Sequence, residues 1–112
     1  MDATVFRFVA REAAGKIRGA RLEKVFAPLP ACWTFDLGQP GFLVVHAGKP
    51  DPFLLLSSAK PENPLQPDAR AIWLRKRLRG RRVLDAVSDW PGRRMALALS
   101  PGEGSWLMLS LS

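Results

Sequence analysis

PENPLQPDARAIWLRKRLRGRR, running from Pro61 to Arg82, is the stretch around which the rest of the chain is read. Pro61, Pro64 and Pro67 lack a backbone donor and fix φ, so they bar regular structure and favour a stiff, extended path. Pro67-Asp68 then opens a helix. Ala71, Leu74 and Leu78 fall on one side of it at three- and four-residue spacing, and Ile72 and Trp73 widen the apolar arc. Gly80 ends it. Between Arg75 and Arg82 only Leu78 and Gly80 are uncharged. Cations in a last turn complement the negative end of the helix dipole, so part of this charge has a local structural use. The rest needs a polyanion, an acidic neighbour or free hydration.

Upstream, Asp2 to Ile17 reads as a helix with Asp2 as N-cap. Val5, Phe8, Val9, Ala13 and Ile17 make its apolar stripe, which is expected to be core, while Arg7, Arg11 and Arg18 lie off it. Gly19 is the expected stop. Arg21 to Phe26 alternates in part and reads as a strand stopped by Pro28 and Pro30. Cys32 to Leu37 and Phe42 to Ala47 are strands joined by Gly38-Gln39-Pro40-Gly41, a strong hairpin signal. Phe53 to Ser57 is the next, reached through Gly48-Lys49-Pro50-Asp51-Pro52. Downstream come Arg82 to Val87, Arg93 to Leu99 and Ser105 to Leu111. Their turns are Asp89-Trp90-Pro91-Gly92 and Ser100-Pro101-Gly102-Glu103-Gly104. Met95 to Leu99 lacks polar alternation, so both of its faces are expected to be buried. The expected fold is α+β: antiparallel sheets in a sandwich-like arrangement with two helices, the first covering one face of a meander.

The 112 residues make one domain with a single core. The last strand runs to the C-terminus with no closing turn, which leads us to expect the N-terminal part of a longer protein. Apolar residues are 47% of the chain, which argues against disorder. The longest apolar runs fall far below a membrane span. Asp2, Arg7 and Arg11 stand where a signal peptide would carry its apolar region. Cys32 is the single cysteine and His46 the single histidine. Neither a disulfide framework nor a metal site at ligand spacing is expected, and no cofactor. The expected location is cytoplasmic.

Seventeen Lys and Arg stand against ten Asp and Glu, a formal charge of +7. Such a balance attracts nucleic acid through counterion release. Arginine outnumbers lysine, and its planar fork grips oxyanions two at a time.

The order of these features resembles the N-terminal domain of the NFACT family. That family includes fibronectin-binding-protein-A-like bacterial chains, RqcH-type ribosome quality control proteins and NEMF-like eukaryotic relatives. The resemblance rests on Asp2 opening a helix, on Gly19-Ala20-Arg21-Leu22-Glu23-Lys24-Val25, and on Leu54-Leu55-Leu56-Ser57. It continues in Glu62-Asn63-Pro64 and in Leu74-Arg75-Lys76 with Gly80 behind it. It covers almost the whole chain.

The resemblance implies a fold similar to the N-terminal domain of formamidopyrimidine-type DNA glycosylases, in a protein that binds tRNA. The implied partners are tRNA and the large ribosomal subunit, with its rRNA and stalled peptidyl-tRNA. The implied role is recruiting tRNA so that a stalled nascent chain receives a C-terminal tail. No membrane and no small-molecule substrate is expected. The family's Asp-Arg pair before the strand that follows the Leu-Arg-Lys helix reads here Gly92-Arg93, so the Arg is kept and the Asp is missing. Asp89 is the nearest substitute.

On this reading Arg75, Lys76, Arg77, Arg79, Arg81, Arg82, Arg93 and Arg94 hold phosphates, and Asp2 with Arg93 positions a nucleotide. Trp90, in a turn, is the candidate for base stacking; Trp73 is expected mainly to pack in the core. The alternative is a divergent, tailing-inactive paralogue acting as a general nucleic-acid-binding or fibronectin-binding-like interaction module. A glycosylase is disfavoured because its nucleophile is an N-terminal proline amine, and this chain begins Met1-Asp2-Ala3. No other nucleophile has a base at recognisable spacing, so no enzyme activity is expected.

Overall fold

α1 spans Ala3–Ile17. Its N-cap is Asp2, whose Oδ1 accepts from the Val5 backbone N–H at 2.8 Å and satisfies one of the unpaired first-turn donors. Gly19, at φ +83°, turns the chain out of the helix. The buried stripe differs from the expected one. Phe6, Ala10, Ala13 and Ile17 are buried, whereas Val5 and Phe8 are exposed and Val9 packs only at the core's margin. Ala13 and Ile17 are buried as expected; in the first turns the two sets differ by about one residue, and apolarity alone does not choose between them. The stripe that wins contains two alanines, which let the helix lie close on the sheets.

The computed structural model describes residues 1–48, 50–59, 69–100 and 105–111. The Pro61–Pro67 loop, the Pro67-Asp68 helix start, Glu62-Asn63-Pro64, Lys49 and the Pro101–Gly104 turn lie outside them. Four strands form one antiparallel sheet in sequence order: β1 (Lys24–Leu29), β2 (Cys32–Asp36), β3 (Phe42–His46) and β4 (Phe53–Ser57). Three form another: β5 (Val83–Asp89), β6 (Arg94–Leu99) and β7 (Trp106–Ser110), again in order and antiparallel. α2 (Ala69–Leu78) packs on β1. The α+β architecture of two helices and two antiparallel sheets is the expected one.

The strand expected at Arg21–Phe26 is shifted. β1 starts at Lys24 and passes through Pro28 to Leu29. Pro28 is tolerated because β1 is an edge strand and its pairing with β2 slips between Phe26 and Leu29. The residues before it serve another purpose. Gly19–Leu22 runs antiparallel to Gly80–Val83, through Gly19 N–H to Val83 O (2.7 Å), Val83 N–H to Ala20 O (2.8 Å), Leu22 N–H to Arg81 O (2.8 Å) and Gly80 N–H to Leu22 O (2.7 Å). This short ladder ties the exit of α1 to the entry of β5, and so joins the two halves of the chain.

The Gly38–Gly41 hairpin is as expected. Gly41 has φ +117°, and a Cβ there would overlap the Ser57 carbonyl oxygen, so two backbones meet where no side chain fits. The centre of the molecule is one cluster drawn from α1 and both sheets, with Phe6, Ile17, Phe35, Leu43, Leu54 and Leu97 at most 2% exposed. α1 touches β4 of one sheet and β5 of the other, so it bridges them. In β6 Met95, Leu97 and Leu99 are buried, but Ala96 and Ala98 are only half-buried. One face of this strand is core. The other belongs to an open sheet face that also exposes Val87, Trp106 and Met108.

Candidate nucleic-acid interface

The arginines packed most densely in the sequence are largely occupied by the fold. Arg75 is half-buried; its Nη2 donates to the Val25 carbonyl of edge strand β1 at 2.8 Å, and its guanidinium lies 5.4 Å from the Phe26 ring centre. Its Nε is buried with no partner among the described residues. Such a side chain holds α2 onto the sheet edge and is poorly placed to meet a ligand. Arg77 folds back on its own helix, donating to the Trp73 carbonyl at 3.2 Å and lying 3.6 Å from the Trp73 ring centre. Trp73 is therefore no core residue; it is 54% exposed, with a guanidinium as its cover. Arg82 donates from Nη1 to the Gly19 carbonyl at 3.1 Å, at the negative end of α1. Lys76 and Arg79 are exposed, and Arg81 is half-buried.

Arg93 and Arg94 sit at the far end of the β5–β6 hairpin. Arg93 adopts a left-handed backbone, φ +52°, and its Nη1 reaches the Met1 carbonyl at 3.4 Å. It thus stands beside the start of α1, one residue from Asp2, whose Oδ1 is engaged by the Val5 N–H. Arg94 grips Asp89 with two nitrogens on Oδ2, Nη2 at 2.6 Å and Nε at 3.2 Å. The Arg94 hydrogen bond, joined by the Gly92 N–H, holds the Asp89 carboxyl below the ordinary carboxylate range. Asp89, the nearest carboxylate to Gly92-Arg93 in this turn, thus pairs with Arg94 and not with Arg93. Gly92 allows this. A Cβ there would lie 2.6 Å from Asp89 Oδ2 and 2.9 Å from Arg94 Nε, so an aspartate at position 92 would have to displace the pair.

The predicted arginines therefore form two groups. The seven-residue β5 separates Arg82 from the Arg93–Arg94 turn, about 20 Å at the rise of an antiparallel strand. Between them stand residues that sequence reading set aside. Arg7, Arg11 and Arg18 line a groove of about 450 Å³ with Ala14, Gly15, Ala86, Ser88 and Trp90, between α1 and β5. Arg7 lies 5.2 Å from the Trp90 ring centre. Arg18 Nε donates to Asp85 Oδ1 at 3.0 Å. Arg11 is exposed, with no ion pair or hydrogen bond among the described residues. The signal for this face was in the spacing: positions 7, 11 and 18 share one side of a helix.

Elsewhere little chemistry gathers. Burial raises the Cys32 thiol above its ordinary pKa and leaves it a small apolar core group. His46 stacks on Phe53 at 5.3 Å. No group of His, Cys, Asp and Glu among the described residues would hold a metal ion. No helix among them is long and apolar enough to cross a membrane.

No protein-family model matches the sequence, and no curated protein matches it. Solved structures do. The N-terminal part of the fibronectin/fibrinogen-binding protein of Streptococcus suis superposes with a TM-score of 0.80 at 17% identity, covering 96% of this chain and 42% of that one. The N-terminal domain of the fibronectin-binding protein PavA of Streptococcus pneumoniae gives 0.77 at 18% identity, covering 96% and 44%. The chain thus spans less than half the length of either. At these identities the likeness is one of fold.

Proposed function

We propose that this domain binds RNA, and that it is the tRNA-holding N-terminal domain of a cytoplasmic ribosome-associated quality control factor. In this role it engages tRNA and the large ribosomal subunit and does no chemistry on them; tail addition to a stalled chain is left to the ribosome. The observation that carries the reading is the row of guanidiniums Arg18, Arg11 and Arg7 along one groove with Trp90 beside it. Phosphate recognition needs exposed arginine forks, and RNA recognition adds an aromatic face for an unstacked base. The likeness to N-terminal domains of fibronectin-binding proteins agrees with the fold that the family resemblance implies.

The test is binding of bulk tRNA by the whole chain across a salt series. Affinity should fall at least tenfold between about 50 and 200 mM salt, as expected when three or more phosphates are neutralised. Affinity independent of salt would remove the reading.

One observation favours a second reading, the tailing-inactive nucleic-acid binder. The turn carboxylate is spent on Arg94, so among the described residues Arg93 lacks the acidic partner that the resemblance assigns to it. A protein-interaction role is favoured by the names of the structural neighbours, which bind fibronectin. Saturable fibronectin binding that survives physiological salt would support that role; binding lost with salt is charge attraction alone.

A further inference from the structure

We infer that the groove between α1 and β5 takes a single-stranded segment of RNA, its phosphates on Arg7, Arg11 and Arg18 and one base on Trp90. This rests on the RNA-binding reading and assigns it a place on the molecule. Four observations carry it. Arg7 and Arg11 stand about one turn apart on α1 and Arg18 is its C-cap at the far end, so the cations form a row rather than a point. No carboxylate is among the residues that line the groove. Asp85, which holds Arg18, is half-exposed along with it, so a phosphate competes for that guanidinium in water and not against a buried pair.

The third observation is Gly15. A glycine inside a helix costs stability relative to alanine, and here no packing accounts for it: a Cβ at this position would meet nothing within 4 Å. Its effect is to lower the wall of the groove midway along the row. The fourth is Trp90, 39% exposed at one end, its ring faced by the Arg7 guanidinium. A base can stack on the same ring while Arg7 turns to the adjoining phosphate. Ser88, exposed on β5, adds a hydroxyl donor. The bases of a duplex are stacked inside it and cannot reach Trp90, whereas a loop or an unpaired end can.

The experiment measures anisotropy of a fluorescein-labelled oligouridylate with the whole chain, across a salt series, with a short RNA duplex as competitor. Arg11→Ala should weaken oligouridylate binding about tenfold and make the salt slope shallower by about 0.7, the loss of one phosphate contact to a single strand. Gly15→Glu should weaken it further, while Gly15→Ala, which adds no charge, should leave it within about twofold. Trp90→Leu should cost about tenfold with the slope unchanged, because stacking releases no counterion. Far-UV circular dichroism of each variant controls for folding. If Arg11→Ala and Gly15→Glu bind as the parent does while Lys76→Ala and Arg79→Ala lose affinity, the groove is not the site, though RNA binding stands. If the parent chain binds no RNA at low salt, RNA binding itself fails. Equal competition by the duplex overturns the single-strand assignment.

Discussion

The α2 end and the exposed face of α1 carry the same kind of residue and use it in opposite ways. Around α2 the cations crowd together in sequence, yet Arg70, Arg75 and Arg82 donate to backbone carbonyls of Pro30, Val25 and Gly19, and Arg77 covers Trp73. Along α1 only Arg7 and Arg11, with Arg18 at its C-cap, are spread out in sequence, yet they come to one groove beside β5. Charge density along a chain is a poor guide to charge density in space. What decides is whether the fold leaves unpaired carbonyls within reach. Edge strand β1 and the end of α1 do; the flank of α1, whose own carbonyls are bonded along the helix, does not.

The largest effect that separates the two regions is on stability. Arg75→Ala removes a charged donor from the Val25 carbonyl together with the packing of its stem against β1 and Phe26. It should cost about 2 kcal/mol, read as a lower urea midpoint with unchanged m. Arg11→Ala should change stability by less than about 0.5 kcal/mol, as for other exposed positions. Similar costs at both sites would abolish the distinction. Arg82→Ala comes next, at about 1 kcal/mol, because a cation at the negative end of α1 is lost with its hydrogen bond to Gly19 O. Gly15→Ala should act in the other direction and stabilise by about 0.5–1 kcal/mol, since the new methyl group meets nothing and the unfolded chain loses freedom. A neutral or destabilising result would mean that this stretch of α1 is strained in a way its open surroundings conceal.

These contrasts also mark what the sequence disclosed. Helix α1 with its Asp2 cap, the Gly38–Gly41 hairpin and strand β4 were legible because each rests on a local rule: a capping side chain, a turn residue, a run of β-formers. The buried side of α1 was not. Val5-Phe8-Val9 and Phe6-Ala10 both lead acceptably into Ala13 and Ile17, and only the two sheets choose between them. The ladder from Gly19–Leu22 to Gly80–Val83 was hidden for a similar reason, since its partners lie sixty residues apart and nothing local pairs the strand starts at Arg21 and Arg82 with each other. Of the candidate site, the residue types were legible and the grouping was not. Arg93 lies against the Met1 carbonyl next to Asp2, whereas the arginines behind α2 belong to a different end of the molecule.

The smallest effect sharpens the comparison within the β5–β6 turn, where Arg93 reaches a backbone carbonyl and Arg94 a carboxylate. Arg94 is held by Asp89, and that pairing keeps the Asp89 carboxyl below its ordinary value. A depressed carboxylate contributes stability that is present above its unfolded pKa and lost as pH falls through the folded one. The pair should therefore be intact at neutral pH and open only as pH falls below the ordinary carboxylate range. Following the Asp89 side-chain carboxyl by NMR should show this low titration, and Arg94→Ala should bring it back up toward an ordinary aspartate. If the titration does not move, the Arg94 contact is not what holds Asp89. The carboxylate would then be available to Arg93, and the Asp-Arg pairing that the family resemblance calls for would be met from position 89 instead of position 92.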